Sequence, residues 1–268
     1  MQETAFAKIN LALHVRARTP DGYHEIETIF AFAEDGDLLS VAPAAGLSLS
    51  VTGPFADALA GEGDNLVLRA ARALAAHCGV ETGAALILDK RLPVASGIGG
   101  GSADAAAALR LLRRFWQVTI SDEDLHALAA GLGADVPACL YSRTARGEGK
   151  GDRLVPLDLS GLAGTPLLLV NPLMPLSTAA VFKAWDKLDR GPLTDWETGR
   201  NDLEAPARAL VPEIGDVLDA LSGARFVRMS GSGATCFGLF ESDARMETTA
   251  RDIAAAHPDW WMLSTRLR

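Results

Sequence analysis

A chain of 268 residues, 49% hydrophobic and 22% charged, has the composition of a soluble globular protein with room for one large domain or two ordinary ones. A formal net charge of −9 argues against nucleic acid as the main partner, and no apolar run reaches the length that spans a bilayer. Cys78, Cys139 and Cys236 are odd in number, widely separated and without zinc spacing, which suits a reducing cytoplasm. Met1-Gln2-Glu3-Thr4 lacks a basic stretch followed by an apolar one, so no secretory signal is expected.

Residues 6–13 predict a strand in which Ile9, Leu11 and Leu13 enter the core while Lys8 and Asn10 face the other way, because side chains alternate along a strand. On its own this is an ordinary half-exposed edge strand. Thr19-Pro20-Asp21-Gly22 predicts a turn that delivers Tyr23-His24 to a second strand over 26–32. Glu34-Asp35-Gly36-Asp37 predicts another turn, with strands after it at 38–41 and 47–51. Asp64 or Asn65 caps a helix running to about His77. Residues 84–88 form a short buried strand that ends in the cations Lys90 and Arg91, either solvated or beside a ligand.

The stretch from Pro93 to Leu109, PVASGIGGGSADAAAAL, is the one around which the chain is organised. Glycines fill positions 97, 99, 100 and 101, and Ser102 opens an alanine-rich helix. Strand, glycine loop and helix start have the form a phosphate site needs; the alternative is a plain glycine turn capped by Ser102. Glycine leaves backbone N–H groups accessible, and the helix N-terminus adds roughly half a positive charge. The P-loop motif fails because Ser102, not Lys, comes after Gly101. The dinucleotide fingerprint fails because Ser102 sits where its third glycine belongs. No lipase-type Gly-x-Ser-x-Gly elbow surrounds Ser96, Ser102 or Ser232.

Beyond the loop helix, a helix runs from Ser121 to about Ala130. Asp135 in Gly133-Ala134-Asp135-Val136-Pro137 stands where it would cap a short helix carrying Pro137 in its first turn. Residues 146–152 predict a charged glycine turn, and 160–164 a boundary between two halves. Further strands are expected at 166–170, 225–229, 235–240 and 261–267. Helices are expected from Ser177 through Trp185, between 203 and 221, and over 241–256, with a polar loop at 191–201. Strands and helices mix throughout, giving an α+β protein of two domains.

Ala7-Lys8-Ile9-Asn10-Leu11, Asp21-Gly22-Tyr23-His24, Asp64-Asn65-Leu66, the glycine loop, Gly133-Ala134-Asp135-Val136-Pro137 and Ser230-Gly231-Ser232-Gly233-Ala234 occur in one order along nearly the whole chain. Together they resemble the GHMP kinases, which phosphorylate small metabolites. The Ala-Lys-Ile-Asn-Leu start with Asp-Gly-Tyr-His is similar to the branch acting on a methylerythritol that bears a cytidine diphosphate group, in the non-mevalonate route to isoprenoid precursors.

The resemblance implies an N-terminal mixed α/β domain over 1–160 with the phosphate loop, and a C-terminal antiparallel-sheet domain with helices over 161–268. It implies transfer of the ATP γ-phosphate to a tertiary hydroxyl. Lys8 and Asp135 match the catalytic pair. Pro93, Val94, Ala95, Ser96, Gly97, Ile98, Gly99, Gly100, Gly101, Ser102 and Ala103 match the ATP phosphate loop, and Asn65 and Lys90 match positions near the adenine. Asn10, Tyr23, His24, Thr178 and Phe182 match the pocket of the cytidine diphosphate end, with the Gly231-Ser232-Gly233 loop beside it. Ser232 replaces a Thr of some members and keeps the hydroxyl; Ala95-Ser96 replaces a Gly-Gly. Mg²⁺ is expected to bridge the phosphates, with no carboxylate cluster marking a protein metal site. The expected partner is a small molecule, with no nucleic acid or membrane, and the enzyme a cytoplasmic monomer or homodimer. The alternatives are a mevalonate- or homoserine-type kinase of the same family and a non-catalytic nucleotide-binding regulator.

Overall fold

The computed structural model describes residues 1–60, 65–159 and 161–268. The chain packs into two compact units. The first contains Met1–Ala7, Asp35–Val94 and Gly99–Ser142; the second contains Lys8–Glu34, Ala95–Ile98 and Arg143–Arg268. This division differs from the single cut expected between residues 160 and 161. The reason is that two long strands, β1 (Gln2–Arg18) and β2 (His24–Ala44), contribute residues to both units.

In the first unit, β4 (Gly83–Asp89) pairs antiparallel with residues 38–44 of β2 and parallel with β3 (Leu47–Thr52). Leu86 and Leu88 are buried while Ile87 is exposed, the alternation expected of a strand with one covered face. The helices of this unit are α1 (Leu66–Cys78), α2 (Gly100–Phe115), α3 (Asp122–Leu132) and the short α4 (Val136–Tyr141), with α1 against β3 and α2. Asn65 caps α1, its side-chain oxygen accepting the Val67 N–H at 2.9 Å, and Gly79 ends the helix at φ 66°. Asp64, the other expected cap, lies outside the described residues. Ser121 caps α3 as expected.

The turn expected at 34–37 is not formed, and β2 runs straight through it. Gly36 is there for close approach: a methyl group on it would stand 1.9 Å from the Ala5 carbonyl oxygen. Asp37 is fully buried, accepting the N–H groups of Arg91 and Leu92 at 2.6 and 2.8 Å. Acidic residues beside a glycine have the look of a turn, but here Asp37 serves backbone contacts that sequence spacing does not reveal.

In the second unit, residues 26–30 of β2 pair with β5 (Ala145–Gly149), which forms a hairpin with β6 (Arg153–Pro156); the turn expected over 146–152 is confined to 150–152, because residues 146–149 pair with strands on both sides. A separate antiparallel sheet has the order β10–β7–β9–β8, from β10 (Trp261–Arg266), β7 (Pro166–Asn171), β9 (Cys236–Leu239) and β8 (Phe226–Met229). Its helices are α5 (Thr178–Ala184), α6 (Glu204–Leu210), α7 (Glu213–Ala220) and α8 (Asp243–Ala256). Every residue of β7 is buried, as for a central strand covered on both faces. The α+β architecture thus matches expectation.

The half-exposed edge strand expected at residues 6–13 is corrected: residues 7–13 are all buried, so Lys8 and Asn10 are interior polar groups. Buried polar groups need hydrogen-bond partners, and those partners shape the site.

Candidate active site

The glycine loop lies between β4 and α2, but the helix starts two residues earlier than expected. Gly99 occupies the N-cap position at φ 68°, so Ser102 belongs to the first turn and does not cap. Gly100, Gly101 and Ser102 carry first-turn N–H groups without intrahelical acceptors, at the positive end of a 16-residue helix. All three are at least partly exposed, as anion binding through the backbone requires. Ala95 stands at φ 53°, in the left-handed region that favours glycine, so its replacement of a glycine stores local strain.

Gly97, at φ 79°, packs against the β8–β9 turn. A methyl group there would lie 2.5 Å from the Ser230 carbonyl oxygen and 2.7 Å from that of Gly233. Gly97→Ala should therefore destabilise the protein by about 1–3 kcal/mol, the range for strained backbone conformations. An unchanged Tm would show that the loop relaxes freely at this point.

Lys8 and Asn10 sit on the same face of β1. Lys8 Nζ donates to Asn10 Oδ1 at 2.9 Å; Asn10 Nδ2 donates to Thr28 Oγ1 at 2.8 Å; and Thr28 Oγ1 donates to the Ala12 carbonyl at 2.7 Å. Lys8 Nζ also lies 5.3 Å from the Phe30 ring centroid. The relay fixes the amide of Asn10 and, through it, the ammonium of Lys8. Asn10 thus orients Lys8, a role its expected place in a substrate pocket did not include.

Asp135 occupies the N-cap position of α4, which carries Pro137 in its first turn, yet its carboxylate makes no capping hydrogen bond to the helix. The capping explanation for this acid therefore fails.

Lys90 is not solvated. It is 1% exposed, and its Nζ donates to Asp37 at 2.6 Å and to Asp104 at 2.7 Å. This corrects the solvated alternative: two of the three ammonium N–H groups are engaged inside the first unit. The triad lies under the first turn of α2: a methyl group on Gly100 would stand 3.0 Å from Lys90 Nζ. Burial lowers the Lys90 pKa, but Asp104 and Asp37 outweigh it and hold the net value above the ordinary one. Burial raises Asp104 to about 7 against the pull of Lys90.

This raised carboxyl gives stability a pH dependence of definite sign. Between its ordinary value of 3.8 and about 7, Asp104 holds a proton in the folded protein that the unfolded chain has released. The native state binds more protons in that window, so stability falls as pH rises through it and levels off above. Asp104→Asn should remove this component. Melting temperatures of both proteins at pH 5 and pH 8 test it, and equal pH slopes would mean the proton is not on Asp104.

The expected pyrimidine residues fall in the second unit. His24 packs on Phe182, with ring centroids 4.7 Å apart, and meets the edge of Trp185 at 5.8 Å. Burial, then the charge of Arg18, lowers the His24 pKa, favouring the neutral ring at neutral pH. Tyr23 is 55% exposed, and the Lys150 ammonium stands 3.8 Å from its ring centroid. Lys150 is held by Asp21 at 2.8 Å, and this hydrogen bond draws the Asp21 pKa down to about 2. Thr178 Oγ1 shares a hydrogen bond with Ser232 Oγ at 2.9 Å, joining α5 to the Gly231–Gly233 turn.

Sequence reasoning missed Thr28, Asp37, Asp104, Lys150, Asn201 and Ser230. Asp104 carried a visible signal, as the charged residue inside an otherwise apolar alanine run, and Ser230 stood within the quoted Ser230–Ala234 stretch. The others are ordinary polar residues whose partners are distant in sequence.

Comparison with known proteins gives first the class. The model of the GHMP kinases N terminal domain matches residues 65–143, and that of the GHMP kinases C terminal domain matches 186–259. A 4-diphosphocytidyl-2-C-methyl-D-erythritol kinase of Rhizorhabdus wittichii is 57% identical over 99% of this chain and 94% of its own. The enzyme of that name from Sphingopyxis alaskensis is 48% identical over 100% and 99%. The crystal structure of a 4-(cytidine 5'-diphospho)-2C-methyl-D-erythritol kinase superposes with a TM-score of 0.85 at 36% identity, covering 100% of this chain and 99% of that one. The chain belongs to the GHMP kinases, within the family of 4-diphosphocytidyl-2-C-methyl-D-erythritol kinases.

Proposed function

We propose that this chain transfers the γ-phosphoryl group of ATP to the tertiary 2-hydroxyl of 4-diphosphocytidyl-2-C-methyl-D-erythritol, in the non-mevalonate route to isoprenoid precursors. The observation that carries this reading is the 57% identity to a relative of that name across 99% of the chain. In this reading the loop of residues 93–103 cradles the ATP phosphates with its backbone amides. Mg²⁺ arrives with ATP as part of the nucleotide substrate.

Phosphoryl transfer asks a protein mainly for positioning and for charge stabilisation. A tertiary alcohol is a weak nucleophile of high pKa. Asp135 accepts its proton as the bond to phosphorus forms, and Lys8, oriented by Asn10, neutralises charge on the transferring group. His24 offers its neutral ring to the edge of the cytosine, with Tyr23 and Phe182 supplying aromatic surface. Thr178 and the Gly231–Gly233 turn line the same end of the acceptor. Asn65 holds the start of α1 near the adenine. The enzyme works in the cytoplasm as a monomer or homodimer, on a small molecule; its net charge of −9 suits this better than nucleic acid.

The test is incubation of purified protein with MgATP and the diphosphocytidyl substrate, monitoring ADP release and the new phosphorus resonance. Turnover of mevalonate or homoserine in place of this acceptor would reject the reading, and so would absence of any ATP-dependent product.

A further inference from the structure

Ser230 begins the turn between β8 and β9 and is fully buried, 0% exposed. Its hydroxyl accepts the backbone N–H of Asn10 at 3.2 Å and donates to the carbonyl of Gly97 at 3.0 Å. One side chain therefore ties the strand bearing Lys8 and Asn10 to the glycine loop. Backbone bonds run alongside: the Lys8 N–H donates to the Ile98 carbonyl at 3.0 Å, and the Thr235 N–H to the Ser96 carbonyl at 3.2 Å.

Ser230 itself has little freedom. Its N–H donates to the Thr235 carbonyl at 2.9 Å, and its carbonyl accepts the Gly233 N–H at 3.0 Å. Asn201 Nδ2 donates to the carbonyls of Met229 and Gly231, both at 2.8 Å, bracketing the serine. Next to it, a methyl group on Gly231 would stand 2.8 Å from the Gly97 carbonyl oxygen and 3.3 Å from Asn10 Oδ1. The turn, the strand and the loop meet here without slack, and a hydroxyl is the group that can accept from one and donate to the other.

We propose that Ser230 is a positioning residue for phosphoryl transfer: its hydroxyl sets the register between the Lys8–Asn10 segment and the phosphate loop. The inference rests on the reading of Lys8 and residues 93–103 as parts of the transfer site. Loss of the hydroxyl leaves the Asn10 N–H and the Gly97 carbonyl without this buried partner, and the segments shift to recover hydrogen bonds. A displacement near 1 Å away from the reacting atoms costs on the order of 10²-fold in rate. The ground-state complex tolerates such a shift better, because binding spreads over many contacts.

The experiment measures kcat, both KM values and Tm for Ser230→Ala, for Ser230→Thr, and for Ser230→Ala combined with Lys8→Ala. Ser230→Ala should lower kcat by about 10²-fold with KM for each substrate within about threefold. Ser230→Thr, which keeps the hydroxyl but adds a methyl group where there is no slack, should recover only part of that loss. In the Lys8→Ala background, Ser230→Ala should cost little more, because the two residues act as a unit. Should Ser230→Ala fail to fold, Ser230→Cys takes its place in the same measurements. A lower Tm with unchanged kcat would make Ser230 merely structural and overturn the proposal. Fully additive rate losses would overturn it as well, by separating Ser230 from Lys8. If Lys8→Ala alone turned over like the wild type, the reading of the site would fail, and this inference with it.

Discussion

Asp135→Asn is expected to fold, to bind ATP and to lose about 10²–10⁴-fold in kcat, the usual worth of a general base. The carboxylate sits at the start of α4 yet makes no capping bond to it. Exchange for an amide of equal size should therefore leave the capping of α4 as it is and the helix intact. Because the acceptor is a tertiary alcohol, removing the group that takes its proton should act on the chemical step, with both KM values conserved. Steady-state kinetics beside a thermal melt settle it. Turnover within about threefold of wild type, far short of that loss, would remove Asp135 from catalysis.

The second large effect concerns recognition of the base. Phe182→Ala and Tyr23→Ala should each raise KM for the cytidine substrate while leaving KM for ATP alone. Stacking on a base is worth about 1–3 kcal/mol by alanine substitution, roughly 5- to 150-fold in affinity. The two variants differ in what else they disturb. Phe182 is half-buried, packs against the core of the second unit and touches His24, so its removal also lowers Tm. Tyr23 is 55% exposed, so Tyr23→Ala should weaken binding with little thermal cost. A fall in Tm for Phe182→Ala, with unchanged affinity for the cytidine substrate in both variants, would confine these rings to packing.

Local chemistry was legible in the sequence. Helix starts at Asn65, Ser121 and Ser177 fell where cap residues stand, because a cap depends on hydrogen bonds within one turn. The phosphate loop was legible for the same reason: strand, glycines and helix start are consecutive. The helix start at Gly100, two residues before Ser102, escaped because a glycine at positive φ serves as N-cap without offering a side chain.

What sequence alone determined was therefore the family and the α+β class, since motifs and caps are written within a few residues of one another. Only the tertiary structure decided what those residues touch. Whether Lys8 was an exposed strand cation or a buried group held by Asn10, itself held by Thr28, depended on burial that the strand's own alternation does not reveal. That Lys90 is held by Asp37 and Asp104 depended on partners 53 and 14 residues away. That Ser230 meets Asn10 across 220 residues had no signature at all, because a hydroxyl announces its hydrogen bonds only once the fold has brought donor and acceptor within reach.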